Sequence, residues 1–559
     1  MRFLVLLFVT GFSAALFAQA PGSTELYAYW IVFKHKDSSL HMLHEPHLFL
    51  GDRAISRRKR FGIPVDMLDL PVDRQHKKYF LERGYAIYSS SKWLNSITIL
   101  SKGKTLPDNI TKLSFIKEVT YLGKINEASI YRNEQDIKDL LSNLEMRTEN
   151  LRKKSIDTSY YGKAFLQNEM INASPLHQLG FKGNGVHIAI IDAGFKNIPA
   201  VPFFRHILDS GLLLGSYDFV DRQYNVFDDD DHGGAVLSCM AAYKPFEYVG
   251  ISPHASYWLL RSENAATEQL LEEALWAEAA EFADSAGVDV INSSLGYYAF
   301  DDKKMNHKSR QLDGKTTIIS RAASIAATKG ILMINSAGNE GDTKWKQIAF
   351  PADVSGVLTV GSVDRNKIHS VFSSIGPSAD NRIKPDVVAM GQEAYLISSS
   401  GYIYQGNGTS YASPMIAAGA ACLLQASKES SPATIISAIR LSAHQYYRPD
   451  KLVGYGIPDF FLAYRILLAQ QSKVDDCVDM RWLDDKQLHL TVYATQPQKI
   501  SIVFYDEVGN QIMTLTEKIK QSGISRLYVK KAQQLSKGVY EVRVNLMNGS
   551  QRMMMSKTF

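Results

Sequence analysis

Residues 268–291, EQLLEEALWAEAAEFADSAGVDVI, and residues 318–334, IISRAASIAATKGILMI, decide the architecture. In each stretch apolar residues recur at helical spacing up to a glycine, Gly287 or Gly330, and a short apolar run follows. The pattern predicts helices over 268–283 and 318–328, and strands over 288–291 and 331–334. Helix, glycine and strand in immediate succession, twice, predict a parallel sheet covered by helices on both faces. In such α/β sheets functional groups collect where the strands deliver their carboxyl ends.

That texture extends over about 160–469 and changes on either side. Residues 21–155 carry short strand patterns at 27–33, 97–100 and 113–122, the last with Phe115, Val119 and Tyr121 at even spacing. Within this segment the basic run Arg57-Arg58-Lys59-Arg60 reads as a solvated helix face rather than a processing site. Residues 133–154 are polar and charged, as suits an exposed, cleavable connection. Residues 1–20 read as an export signal: Arg2, an apolar run over 4–17, then the small residues Ala18 and Ala20. The run is shorter than a membrane-spanning helix requires. Residues 478–559 show alternating strands at 488–493, 499–505, 511–515, 526–529 and 539–546, separated by turn residues, the pattern of a small β-sandwich. A chain of 559 residues accommodates these units.

Composition excludes several classes. A net charge of +5 over this length gives no case for a nucleic-acid partner. The cysteines Cys239, Cys422 and Cys477 cannot all pair internally and lack metal-ligand spacing. Buried free thiols are the reading for Cys239 and Cys422.

Four segments carry candidate chemistry. Residues 186–192 form an apolar strand ending in Asp192, then Ala193-Gly194. Alone, Asp192 reads as a turn cap. His232 follows the acidic run 228–231, read as a solvated loop without calcium-loop spacing. Gly233 and Gly234 then permit close approach of another chain. Asn339 lies in Asn335-Ser336-Ala337-Gly338-Asn339-Glu340-Gly341 after a buried strand, where its plainer role is a left-handed turn. Ser410 lies in Gly408-Thr409-Ser410-Tyr411-Ala412-Ser413-Pro414, which enters a nearly all-apolar helix over 415–424. Its plainer role is an N-cap. Together they supply what acyl transfer needs: a hydroxyl nucleophile, an imidazole base, a carboxylate to orient it, and an amide beside a helix N-terminus to stabilise an oxyanion.

The order Asp192, His232, Asn339, Ser410 with these flanks resembles the subtilisin-like serine peptidases. The match is strongest at residues 190–194, 336–341 and 408–414. Residues 289–296, Phe350-Pro351-Ala352 and Gly454-Tyr455-Gly456 resemble further family landmarks. The resemblance implies a subtilisin-like α/β catalytic domain over 160–469, preceded by a small α+β propeptide and followed by the β-sandwich. It implies a triad of Asp192, His232 and Ser410, with Asn339 as oxyanion donor. Ser294, Leu295 and Gly296 on one side, and Ala337 and Gly338 on the other, would line the substrate cleft. Ala349 would floor the first specificity pocket and leave room for a bulky apolar side chain. No cofactor is required, a structural calcium is compatible, and the partners are a protein or peptide substrate and the chain's own propeptide. Gly234-Ala235 departs from the family's usual Thr-His after His-Gly, which puts the packing behind His232 in question. Residues 504–510 and 535–543 resemble the sorting tails of type IX secretion cargo, implying secretion machinery as a further partner.

Two rivals differ in class. A catalytically dead subtilase fold used for binding is motivated by Gly234 and Ala235. An α/β-hydrolase would need glycine at position 412 and its acid and base after the serine, and this sequence has neither.

Overall fold

The computed structural model describes residues 25–107, 109–126, 158–471, 476–482, 488–506, 508–520, 523–536, 538–547 and 549–557. The residues read as an export signal, 1–20, and as a cleavable connection, 133–154, lie outside them. The chain divides into two compact units, Met1–Phe460 and Phe461–Phe559.

The larger unit is built on a seven-stranded parallel sheet. Its order is Val387–Met390, Val357–Val363, Leu332–Ser336, Val290–Ser293, His187–Asp192, Ser256–Arg261, Leu213–Asp218. The chain starts at His187–Asp192, runs to the edge strand Leu213–Asp218, inserts Ser256–Arg261 between the two, then builds from Val290–Ser293 on the other side. These two central strands therefore diverge at a topological switch point, where an α/β sheet opens a crevice. The helices His232–Ala241 and Thr409–Ala426 cover one face and Leu271–Ala286 and Ile318–Thr328 the other. The second of the two predicted helices has the expected bounds. The first starts later, at Leu271, and its Gly287 stop adopts φ +79° and returns its N–H to Ala283 and Asp284 carbonyls.

A four-stranded antiparallel sheet, ordered Ala86–Ser91, Ser96–Ser101, Glu25–Phe33, Ile116–Asn126, packs on the Leu271–Ala286 helix. The central strand Glu25–Phe33 is buried on both faces. Leu26, Ala28, Trp30 and Val32 join the core that includes Leu275 and Ala279, whereas Tyr29, Ile31 and Phe33 pack with Phe80 and Ile97 in a separate core. The strand expected from residue 113 begins at Ile116.

The basic run is solvated only in part: Lys59 and Arg60 are exposed, and Arg57 and Arg58 are not. It lies on the helix Asp52–Phe61, and the Arg57 and Arg58 residues are each 1% exposed. Arg57 pairs with Asp284 on the Leu271–Ala286 helix. Arg58 donates to both oxygens of Asp69 (2.8 Å each) and to Asp284 Oδ2 (2.7 Å). Buried carboxylates with fixed geometry hold these arginines, which a charge run alone does not reveal.

The smaller unit contains two antiparallel sheets, one ordered Cys477–Trp482, Leu488–Ala494, Gly523–Tyr528, the other Gln511–Ile519, Gln498–Tyr505, Gly538–Leu546, Gly549–Lys557. Alternate residues such as Leu488, Leu490, Val492, Ile500, Ile502 and Val542 form its core, as a sandwich requires. The outer strands Cys477–Trp482 and Gly549–Lys557 are additional to the five read from sequence.

Candidate active site

Asp192 closes the central strand His187–Asp192, fully buried, and His232 opens the helix His232–Ala241 with 29% of its side chain exposed. His232 Nδ1 lies 2.7 Å from Asp192 Oδ1, which also accepts from Ala193 N at 2.9 Å. Asp192 thus serves the turn and the imidazole together. Its Oδ2 has no partner among the described residues. Gly233 makes the approach possible, since a Cβ there would lie 2.4 Å from the Gly194 carbonyl oxygen. Gly234 faces the Ile198 side chain and Ala235 is buried, so the departure from the family's pattern is filled by local packing. Burial pulls the imidazolium pKa of His232 down, but Asp192, with Glu263 and Asp230 behind it, carries it up to about 9. With Nδ1–H committed to the carboxylate, Nε2 is left as the exchangeable site.

Ser410 is the second residue of the helix Thr409–Ala426, and the N-cap is Gly408, so Ser410 is not a cap. Its Oγ donates to the Ser294 carbonyl (3.3 Å), and Ser294 Oγ donates back to the Ser410 carbonyl (2.9 Å). This exchange ties the helix start to the end of the strand Val290–Ser293. Asn339 is held by its oxygen: Oδ1 accepts from Thr409 N (2.9 Å) and Thr409 Oγ1 (3.0 Å). The amide donor of the exposed Asn339 is thereby turned away from Thr409. The left-handed residue of this turn is Gly338, φ +105°, not Asn339.

His232, Ser410, Asn339, Ser294, Leu295, Gly296 and Gly338 line one cleft of about 310 Å³. Ala337, expected there, is fully buried below it and accepts from Ala349 N (3.0 Å). Cβ atoms built on Gly296 and Gly338 would lie 2.8 and 3.3 Å from the Ala349 Cβ, so Ala349 sits between the two glycines. Glu263 and Glu268, which sequence reasoning missed, also line the cleft. The signal was the apolar run Tyr257–Leu260, now the strand Ser256–Arg261, whose carboxyl end leads directly to Glu263.

The acidic run before His232 is built into the site. Asp230 Oδ1 accepts from His232 N (2.8 Å), and Asp231 accepts from Ser399 Oγ (2.9 Å). Asp229 converges with Asp218 and Asp221 in the described residues' one cluster of carboxylates close enough to share a cation. These three do not fit a calcium ion, because Arg261 Nη1 reaches them at 3.3, 2.7 and 2.9 Å respectively. Arg261 Nε also donates to the Ala193 carbonyl (3.0 Å), bracing the turn that presents Asp192. Cys239 and Cys422 are buried free thiols, as expected, and burial pushes Cys239 up to about 12.

Residues 183–456 match the subtilase family model, and residues 28–138 match the model for the peptidase S8 propeptide domain of Bacteroidota. The chain is a subtilisin-like serine endopeptidase with its propeptide. Subtilisin DY of Bacillus licheniformis is 29% identical to the peptidase over 260 residues, covering 46% of this chain and 82% of the relative. The thermophilic serine proteinase of Bacillus sp. strain AK1 is 31% identical over 276 residues, 49% of this chain and 58% of the relative. The crystal structure of MycP1 from Mycobacterium smegmatis aligns over 54% of the peptidase and 84% of that chain, with 22% identity and a TM-score of 0.42. Among the described residues of the peptidase no helix is long and apolar enough to cross a membrane.

Proposed function

We propose that Ser410 is the nucleophile, His232 the general base and then acid, Asp192 the group that orients it, and Asn339 the oxyanion donor. The observation that carries this reading is the His232–Asp192 pair opening on the same cleft as Ser410. In the reaction Ser410 Oγ leaves the Ser294 carbonyl, passes its proton to His232 Nε2 and attacks the substrate carbonyl carbon. The negative oxygen that forms is met by the Asn339 amide and by the Ser410 backbone N–H at the helix start. Collapse expels the amine with the proton from His232, and water releases the acyl group by the reverse path. The decisive test is covalent: diisopropyl fluorophosphate abolishes activity and leaves one adduct, on Ser410, by peptide mapping. An adduct elsewhere, or full activity after labelling, overturns the assignment.

Two further outcomes follow from the same reading. Asn339→Ala lowers kcat by about 10²–10³-fold with KM little changed, the size of loss seen on removing an oxyanion donor in subtilisin. A pH profile checks the base. Because the raised pKa keeps His232 protonated, and unable to accept a proton, to higher pH, kcat/KM falls as pH drops through about 9. A limb at the ordinary histidine value contradicts this electrostatic account.

We also propose that residues 1–20 direct export and that the segment over 21–155 is removed by self-cleavage before 160. The sandwich over 478–559 serves as a type IX sorting domain, and Ala349 admits bulky apolar side chains to the first pocket. Intact mass and N-terminal sequencing of the secreted form test the first three of these, and a cleavage profile the last.

A further inference from the structure

We propose that Glu263 and Glu268 form a subsite that selects a lysine or arginine side chain of the peptide substrate. The inference rests on the peptidase reading of the same cleft. Both carboxylates line that cleft beside His232 and Ser410. Glu263 Oε2 accepts from the Tyr297 hydroxyl (3.2 Å), and Glu268 N donates to Asp301 Oδ2 (3.2 Å). Among the described residues no lysine or arginine pairs with either. Their neighbours are acidic instead. Glu272, 3% exposed, stands with them, its Oε2 without a partner, and Glu340 lines the same cleft.

The His232 imidazolium offsets part of the charge on Glu263, but among the described residues no lysine or arginine compensates the group. Half-buried carboxylates gathered in this way repel one another and lose hydration, which a packing role does not explain. Burial first, then the neighbouring acids, push Glu263 up to about 7 and Glu268 up to about 8. An entering ammonium or guanidinium group supplies the missing charge and relieves both costs. A second observation shows polypeptide held at this wall. Lys124 N, at the end of the propeptide strand Ile116–Asn126, donates to Oε1 of Gln269, the residue after Glu268, at 2.5 Å. Gly123, φ +130°, makes room for that contact, since a Cβ there would lie 2.0 Å from Gln269 Oε1. Propeptide main chain therefore contacts the residue that adjoins Glu268.

The test uses the self-processed enzyme, normalised by active-site titration, and peptides carrying arginine, norleucine or glutamate at each of four positions before the scissile bond. At one position arginine exceeds norleucine in kcat/KM by about tenfold or more, and glutamate falls below norleucine. The double variant Glu263→Gln/Glu268→Gln brings arginine and norleucine to within about twofold, and Glu268→Lys favours glutamate. Indifference to charge at all four positions, or an arginine preference that survives in the double variant, overturns the subsite. Labelling the same processed enzyme with diisopropyl fluorophosphate separates the two readings: hydrolysis undiminished after full modification of Ser410 sinks the peptidase assignment, whereas charge-blind hydrolysis that the modification abolishes sinks only the subsite.

Discussion

Ser410→Ala lowers kcat by about 10⁶-fold, the loss that removal of the nucleophile causes in subtilisin, and the full-length chain accumulates with its propeptide attached. Three observations set this expectation. Ser410 sits at the start of a buried helix whose first N–H groups have no helical partner. His232 is oriented by a fully buried carboxylate at 2.7 Å. Asn339 is fixed through its oxygen, leaving its amide as donor. Because Ser410, His232 and Asp192 act as one unit, His232→Ala costs about as much as Ser410→Ala, and the double variant costs little more than either. Hydrolysis of a chromogenic peptide and intact mass of the product check both statements. Additive losses, or a processed Ser410→Ala chain, contradict them.

Asp284→Ala loosens the propeptide by about 3–5 kcal/mol, the cost of leaving a buried charge without its partner. Asp284 receives Arg57 and Arg58, each 1% exposed, with Lys92 Nζ a further 3.8 Å from its Oδ2. Asp69 can compensate Arg58, since it holds that guanidinium with both oxygens. Arg57 retains only carbonyl acceptors, at Lys329, Val288 and Asp284. In a Ser410→Ala background, where the chain stays whole, amide exchange in the central strand Glu25–Phe33 accelerates by about 10²–10⁴-fold if exchange follows local release. Glu281 offers a second anchor on the same helix, accepting from Ser91 Oγ (2.5 Å), Lys92 N (2.8 Å) and Trp93 N (3.0 Å). Unchanged exchange in Asp284→Ala would falsify the account of this contact as an electrostatic clamp.

The contrast between those arginines and the residues proposed for catalysis shows where sequence is informative. Asp192, His232, Asn339 and Ser410 each sit at an element end marked by glycines and an adjoining apolar run, so their placement follows from local pattern. The helix Ile318–Thr328 was legible to the residue because Thr317 caps it through Ser320 N and Gly330 follows it. Arg57 and Arg58 depend instead on Asp284, more than two hundred residues away, and no periodicity in the run encodes that partner. The acidic run before His232 was opaque for the same reason: Arg261, which gathers Asp229, comes from the strand Ser256–Arg261, beyond the helix that His232 opens. Glu263 and Glu268 carry no motif, and only the closing of the sheet brings them into the cleft that Ser410 lines.

Arg261 gives this corner of the molecule a tethered cation. A tethered charge cannot be diluted away or competed off, so the geometry of the turn presenting Asp192 is independent of how much divalent ion the surroundings hold. An enzyme built this way keeps that part of its machinery set in calcium-poor water as well as in calcium-rich fluid.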